Sequence, residues 1–434
     1  MPRHKPLAEE VKFAADFAGL VNTKRIKDFG QKALTIGTNI EITDTKKIVR
    51  RNGYILKATG AYTAIYGTDA QTKKYAVKAG TLIDIDHKGV ETVLASGLLG
   101  SIFTWDEDPN NNVYFCSEQG SSGIITNDGA FLPLSLPVPV ITSAGVLDPG
   151  TWEYRPFQLG KKYSDSSRVR MQIMATYLMA DGRETAPSAT IEVAIAPEIR
   201  MIRVIVPTGG VATRVYATAP GGSSYYLVAI STNATITMLV QNMNWMVSGE
   251  KYPYSSALES FPPDARMLCH THDGRLMAAV FDPLADMGAI YISLPLQYHL
   301  FNKSRDFVSV SSCPLLLLPH ANGVIIGTNT NIYNYVPSAH HNVTGVASPE
   351  SLTEIANYGV PPGGCGDVDK DGTPYFWTAR GIAKAMPFEL VTQEHFYGDP
   401  GVYNSAMIIY DRGYAKLVAS TISGAPTFNQ WSER

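Results

Sequence analysis

Arg170-Met171-Gln172-Ile173-Met174-Ala175-Thr176-Tyr177-Leu178-Met179-Ala180-Asp181-Gly182-Arg183-Glu184-Thr185-Ala186-Pro187 is the stretch on which the fold class turns. Met171, Ile173, Ala175 and Tyr177 fall on one face at a spacing of two, the pattern of a half-buried strand. Asp181-Gly182 can then reverse the chain, because glycine tolerates positive φ, and Pro187 blocks immediate re-entry into a ladder. Further alternating segments follow at Ile191, Val193 and Ile195; at Ile202, Val204 and Val206; at residues 214–217; at 225–230; and at Ile236, Met238 and Val240. Pro207-Thr208-Gly209-Gly210 and Pro220-Gly221-Gly222 separate them as turns. Short alternating strands at this spacing predict an immunoglobulin-like or fibronectin type III-like β-sandwich. Modules of that kind are usually spacers or contact surfaces.

Outward from this block the same strand grammar continues. Residues 62–66, 75–78, 81–85, 101–105, 113–116 and 123–126 read as short strands before it, with turns at Gly67-Thr68-Asp69, Asp108-Pro109-Asn110-Asn111 and Asn127-Asp128-Gly129. The proline-rich stretch 133–139 leads in, and a second irregular stretch, 251–263, leads out. Strands resume at 267–271, 274–280, 289–293, 307–310, 324–328, 332–336, 375–379, 407–410 and 415–420. Helical spacing is confined to residues 6–17 and 348–356. At the ~40 to 50 residues of a four-stranded blade, the strands outside the block predict a β-propeller of about six or seven blades. Two sandwiches in tandem is the alternative. The expected organisation is an arm over residues 1–38, propeller over 39–139, an inserted sandwich over 140–255, and propeller with a terminal segment over 256–434. The whole chain is expected to be all-β.

The 434 residues are 45% apolar and only 17% charged, below the ~25% charge of an average soluble protein. A net charge of -3 argues against a nucleic-acid-coating surface, which needs clustered cations to neutralise phosphates. The charge is unevenly spread. Residues 1–51 hold eleven Lys or Arg against six Asp or Glu, so a basic segment precedes an acidic body. Cys116, Cys269, Cys313 and Cys365 form no C-x-x-C pair, which predicts buried thiols rather than a zinc ribbon or a disulfide framework. Residues 13–20 carry Asp16 and do not make a signal-peptide core, and the apolar run at 315–318 is flanked by Pro314 and Pro319. The expectation is a protein made in the cytoplasm without stable membrane insertion.

Three patterns offer chemistry. Asp367-Val368-Asp369-Lys370-Asp371-Gly372 places carboxylates of Asp367, Asp369 and Asp371 at alternate positions before a glycine, the oxygen-rich start of a calcium loop. Tyr375 and Thr378 stand where such loops carry their closing ligands, so an acidic hairpin turn is the competing reading. His270-Thr271-His272 sets two imidazoles on one face of a strand, and His340-His341 lies in a loop; neither pair has a recognisable third ligand. Asp84, Asp86, Asp106, Glu107 and Asp108 supply carboxylates that glycoside cleavage would require in pairs. No G-x-S-x-G elbow or G-x-x-x-x-G-K-[ST] phosphate loop is present, so the chain is expected not to be an enzyme. No cofactor is expected beyond calcium at the acidic loop.

Several stretches together resemble the propeller-bearing tail hub and nozzle (DNA-stabilisation) proteins of short-tailed bacteriophages. They are Asn39-Ile40-Glu41-Ile42 with Ile48-Val49-Arg50-Arg51-Asn52-Gly53-Tyr54; the stretch 177–188 with 214–218 and 226–229; Asp273-Gly274-Arg275-Leu276-Met277 with 291–295 and 323–328; and Gly372-Thr373-Pro374-Tyr375-Phe376-Trp377. They run in family order over residues 39–385. The resemblance implies a structural protein of the virion tail, assembled in the host cytoplasm as a ring of six below the head-to-tail adaptor. Tail fibre, spike or needle proteins would attach to it, and genomic DNA would pass its channel without sequence-specific contact. Lys24, Arg25, Lys27, Lys46, Lys47, Arg50 and Arg51 are then candidates for the adaptor-facing surface. The alternative function is a propeller that binds or cleaves polysaccharide.

Overall fold

A computed structural model describes residues 60–68, 70, 72–147, 154–156, 169–195, 201–219, 221–239, 249–337, 351–361, 366–391, 403–411 and 414–421, with the short strands Gly19–Leu20, Ala33–Leu34, Ile40–Ile42 and Ile48–Arg50. Among these residues every regular element is a strand. The fold is all-β. Its repeated unit is a four-stranded antiparallel meander.

Two compact units divide the chain, residues 1–104 with 311–434, and residues 105–310. The expected boundaries at 139 and 255 both fall inside the second unit.

In the first unit, Tyr62–Gly67, Lys74–Lys78, Thr81–Ile85 and Glu91–Ser96 pair in sequence order, and so do Pro314–His320, Gly323–Thr328, Ile332–Val336 and Ser351–Ala356. Gly366–Val368, Pro374–Thr378, Gly381–Lys384 and Glu389–Leu390 form a third such sheet. The last two sheets share a core of Leu316, Leu318, Ile325, Ile332, Phe376 and Ala383. A terminal hairpin, Tyr403–Asp411 with Tyr414–Thr421, follows. Its first strand lies against both Gly366–Val368 and Tyr62–Gly67, so late chain meets early chain.

Two segments differ from the sequence expectation. Residues 351–356 form an edge strand instead of a helix, because the apolar spacing of Leu352 and Ile355 belongs to a largely exposed strand paired with Ile332–Val336. Pro314–His320 is a strand despite its prolines; it sits at the sheet edge, where a missing N–H leaves no partner unmet.

In the second unit, Phe103–Glu107, Val113–Ser117, Ser122–Ile125 and Phe131–Leu132 make one meander. A six-stranded sheet, from Glu259–Ser260 to Phe307–Ser311, makes another layer. Tyr114, Cys116, Ile124, Phe261, Leu276 and Phe301 form their common core. Val113–Ser117 is buried along its whole length, as a strand covered on both faces must be. Cys116 and Cys269 are buried free thiols, and burial pushes the Cys269 thiol well above its ordinary range.

Between these layers in sequence lie eight strands in two four-stranded sheets. One has the order Tyr154–Pro156, Ser143–Leu147, Met201–Ile205, Thr235–Leu239; the other Ile191–Ile195, Val169–Leu178, Ala212–Thr218, Tyr225–Ser231. Met171, Ile173, Ala175 and Tyr177 point inward together, as the spacing predicts, against Ile202, Val204 and Ile236 of the facing sheet. The Tyr177 hydroxyl donates to the Pro207 carbonyl at 2.5 Å. Gly209 lies flat on the same ring, and a Cβ there would overlap it. Gly209→Ala should therefore lower the unfolding free energy by about 1 to 3 kcal/mol. Chemical denaturation measures this, and a change below the noise would mean that the turn yields.

Candidate functional site

One turn recurs through the molecule. Asp86–Val90, Asp108–Asn112, Ser117–Ser121, Thr126–Ala130, Thr271–Arg275 and Asp369–Thr373 each close with an N–H from the first residue to the fifth carbonyl and from the fourth N–H to the first carbonyl. The first side chain accepts the fifth residue's N–H in every case. The fourth residue has positive φ, 60° at Asn111 and 78° at Gly372, which is why glycine or asparagine stands there. The short polar side chain pins the hairpin closed at its neck.

Seen this way, the acidic motif has a twin. Asp106-Glu107-Asp108-Pro109-Asn110-Asn111-Asn112-Val113-Tyr114-Phe115 aligns without a gap on Asp367-Val368-Asp369-Lys370-Asp371-Gly372-Thr373-Pro374-Tyr375-Phe376. Asp108 Oδ1 accepts the N–H groups of Asn110 and Asn112 at 2.8 and 2.9 Å; Asp369 Oδ1 accepts those of Asp371 and Thr373 at 2.9 and 2.8 Å. Asp106 Oδ1 takes the Glu107 N–H at 2.9 Å while Oδ2 takes the backbone N–H of His270. Asp367 Oδ1 takes the Val368 N–H at 2.8 Å while Oδ2 takes the backbone N–H of Ile408. In each copy the first aspartate ties its sheet to another sheet, and the second holds the turn. The tie from Asp106 to His270 bridges the two layers between which the eight-strand block is inserted in sequence.

Asp367, Asp369 and Asp371 do not converge, and no three His, Cys, Asp or Glu side chains among the described residues come together as a metal-holding group. With oxygens of Asp367 and Asp369 engaged on N–H groups, the thermal midpoint is expected to be the same in millimolar Ca²⁺ and in chelator. A chelator-reversible rise would restore the calcium loop. His270 and His272 do not share a strand face: His270 ends Met267–His270 and is buried, whereas His272 is exposed in the following turn. The His270 ring sits edge-on to Tyr114 and Tyr298, at 4.5 and 4.7 Å between centroids, with Nδ1 3.3 Å from Asp106 Oδ2. His340 and His341 lie outside the described residues, as do Lys24, Arg25, Lys27, Lys46, Lys47 and Arg51. Arg50 ends a strand and pairs with Ile40.

A second polar cluster was not legible as a site. Glu184, one residue beyond the turn at Met179–Arg183, accepts the Tyr216 hydroxyl at 2.7 Å, an Arg214 N–H at 3.1 Å and the Thr176 hydroxyl. Thr176 and Tyr216 are fully covered, and Arg214 also reaches Glu250 at 3.4 Å. Tyr252 sits edge-on to Tyr216, and Tyr254 in turn sits edge-on to Tyr252, beside the same cluster. Burial together with the Glu184 charge pushes the Tyr216 hydroxyl well above its ordinary range. The Glu184 carbonyl accepts the Nε2–H of His299 at 2.8 Å, and Ala186, Leu258 and Leu300 pack beside this bond. This is where the eight-strand block joins the six-stranded sheet.

No protein family and no curated protein matches the sequence. Among solved structures, the chain is similar to the extracellular domain of a hybrid two component system from B. thetaiotaomicron, at 9% identity and a TM-score of 0.26, covering 80% of this chain and 35% of that one. It therefore spans about a third of that structure's length. A protein from Lactobacillus plantarum is similar at 12% identity and a TM-score of 0.33, covering 82% and 91% of the two chains. The Dos1 propeller is similar at 9% identity and a TM-score of 0.31, covering 90% and 80%. Likeness at this level carries no function to this chain.

Proposed function

We propose that the chain is a non-enzymatic structural protein of a bacteriophage tail, a hub or nozzle subunit that assembles with itself into a ring. In this reading the meander sheets are blades of one propeller of six or seven, and the eight-strand block is a fibronectin type III-like insert that braces or docks neighbouring tail parts. The head-to-tail adaptor and fibre, spike or needle proteins are the partners, and DNA passes without sequence-specific contact. A weakly acidic wall would let phosphate slide.

The observation that supports a holding role over a transforming one is the use of the carboxylates. Asp86, Asp106, Asp108, Asp367 and Asp369, five of the carboxylates that glycan cleavage or a metal would draw on, accept backbone N–H groups that fix turns and join sheets. The sequence resemblance supplies the tail context. Native mass measurement with purified adaptor tests it: six copies of 47.1 kDa give a species of about 283 kDa above the adaptor mass. A chain that stays single beside adaptor, or that releases sugar from surface polysaccharide, would sink the reading in favour of a polysaccharide-acting propeller.

A further inference from the structure

We propose that the junction between the eight-strand block and the six-stranded sheet is an acid-release joint, in which protonation of His299 frees the block while both parts stay folded.

The joint is small and asymmetric. His299, on Gln297–Phe301, is buried, and its Nε2–H donates to the Glu184 carbonyl across the junction. A carbonyl can only accept, so Nε2 carries the ring's single proton and Nδ1 is the atom left to titrate. Around that bond lie Ala186 from the block and Leu258 and Leu300 from the sheet side, with Tyr254 and Leu294 partly buried against them. The charged groups acting on the ring are Arg183 and Asp181, which face each other at 2.7 Å in the turn of the block. On the adjoining strand Glu259 is held 3.4 Å from Lys303, and Tyr298 beside His299 turns its ring to His270 and Tyr114. Burial is the main reason the imidazole resists a second proton, and Arg183 adds to it; together with the weaker opposing influences they hold the pKa at about 4, against 6.5 when free.

The sign follows from linkage. The attached state binds fewer protons at His299 than the released state, so attachment is fully favoured above pH 6.5 and weakens as pH falls toward 4. Over that window the equilibrium for attachment drops by about 80-fold, and it approaches about 300-fold only well below pH 4. The inward core of the block contains no histidine, so protection there serves as the internal reference.

Amide hydrogen exchange on the full chain, corrected for intrinsic rates, reads the joint directly. Protection at 181–186 and 294–301 is expected to fall between about pH 6.5 and about pH 4, while 171–177 and 213–218 stay protected. His299→Gln keeps an N–H for the carbonyl but cannot take a proton, and should hold the joint closed throughout. Release in H299Q at the wild-type pH, an unchanged wild-type joint at pH 4, or simultaneous loss at 171–177 would each overturn the proposal. If H299Q does not fold, carbon-13 histidine spectra of the unaltered chain decide: the His299 resonance titrating together with release supports it, and release without that titration overturns it.

Discussion

Glu184→Ala is expected to lower the stability of the eight-strand block by about 1 to 3 kcal/mol, the range seen when hydrogen-bonding groups lose their acceptor. Arg214 and Glu184 have side chains 20% and 18% exposed, so water would replace the carboxylate only in part. The alanine would leave the Arg214 guanidinium, the Tyr216 hydroxyl and the Thr176 hydroxyl without their shared acceptor. Glu250, with its side chain 55% exposed and 3.4 Å away, offers weak compensation. Glu184→Gln retains an acceptor oxygen and should cost less. Denaturant unfolding followed by exchange protection at 171–177 and 213–218 measures both, and a loss under about 1 kcal/mol for the alanine variant would mean that the cluster is marginal to the block. The His299 bond goes to the backbone of Glu184, so this variant leaves the joint's main-chain acceptor in place.

Phe376→Ala should destabilise the sheets at 314–390 by about 3 to 5 kcal/mol. Phe376 is fully buried and fills the layer between Leu316, Leu318, Ile325 and Ala383, so truncation opens a cavity that two stiff sheets cannot collapse. Its twin, Phe115, is equally buried between Trp105 and Phe131, and Phe115→Ala should cost a similar amount. Exchange protection should fall at 316–332 and 374–384 in the first variant and at 113–125 in the second. Loss at both places in either variant would contradict the division into two compact units.

Strand existence was legible wherever a strand carries its own alternation. The set Met171, Ile173, Ala175 and Tyr177 needed nothing beyond spacing to announce its inward face. The acidic motif is open in local sequence for a physical reason: carboxylates at alternate positions before a glycine serve a cation and an N–H-capped hairpin turn equally well. The acceptor bond from Asp367 to Ile408, forty-one residues away, lies in no window of sequence. The same blindness hid the alignment of Asp106–Phe115 on Asp367–Phe376, since only the aspartates, the Tyr-Phe pair and the turn's fourth position matter and the rest varies. Glu184 and His299 were missed because an ordinary glutamate after a turn and a histidine in an apolar strand gain meaning only from the junction that brings them together.

The contact of strand Tyr403–Asp411 with strand Tyr62–Gly67 has a temporal side. A ribosome releases residues 105–310 as one uninterrupted piece, so that unit can reach its final form while translation is under way. The other unit must wait with an unfinished seam until residue 411 has emerged, because its earliest strands are held by some of the last to be made. Synthesis arrested before residue 403 should therefore leave the middle of the chain protease-resistant and the flanking sheets open.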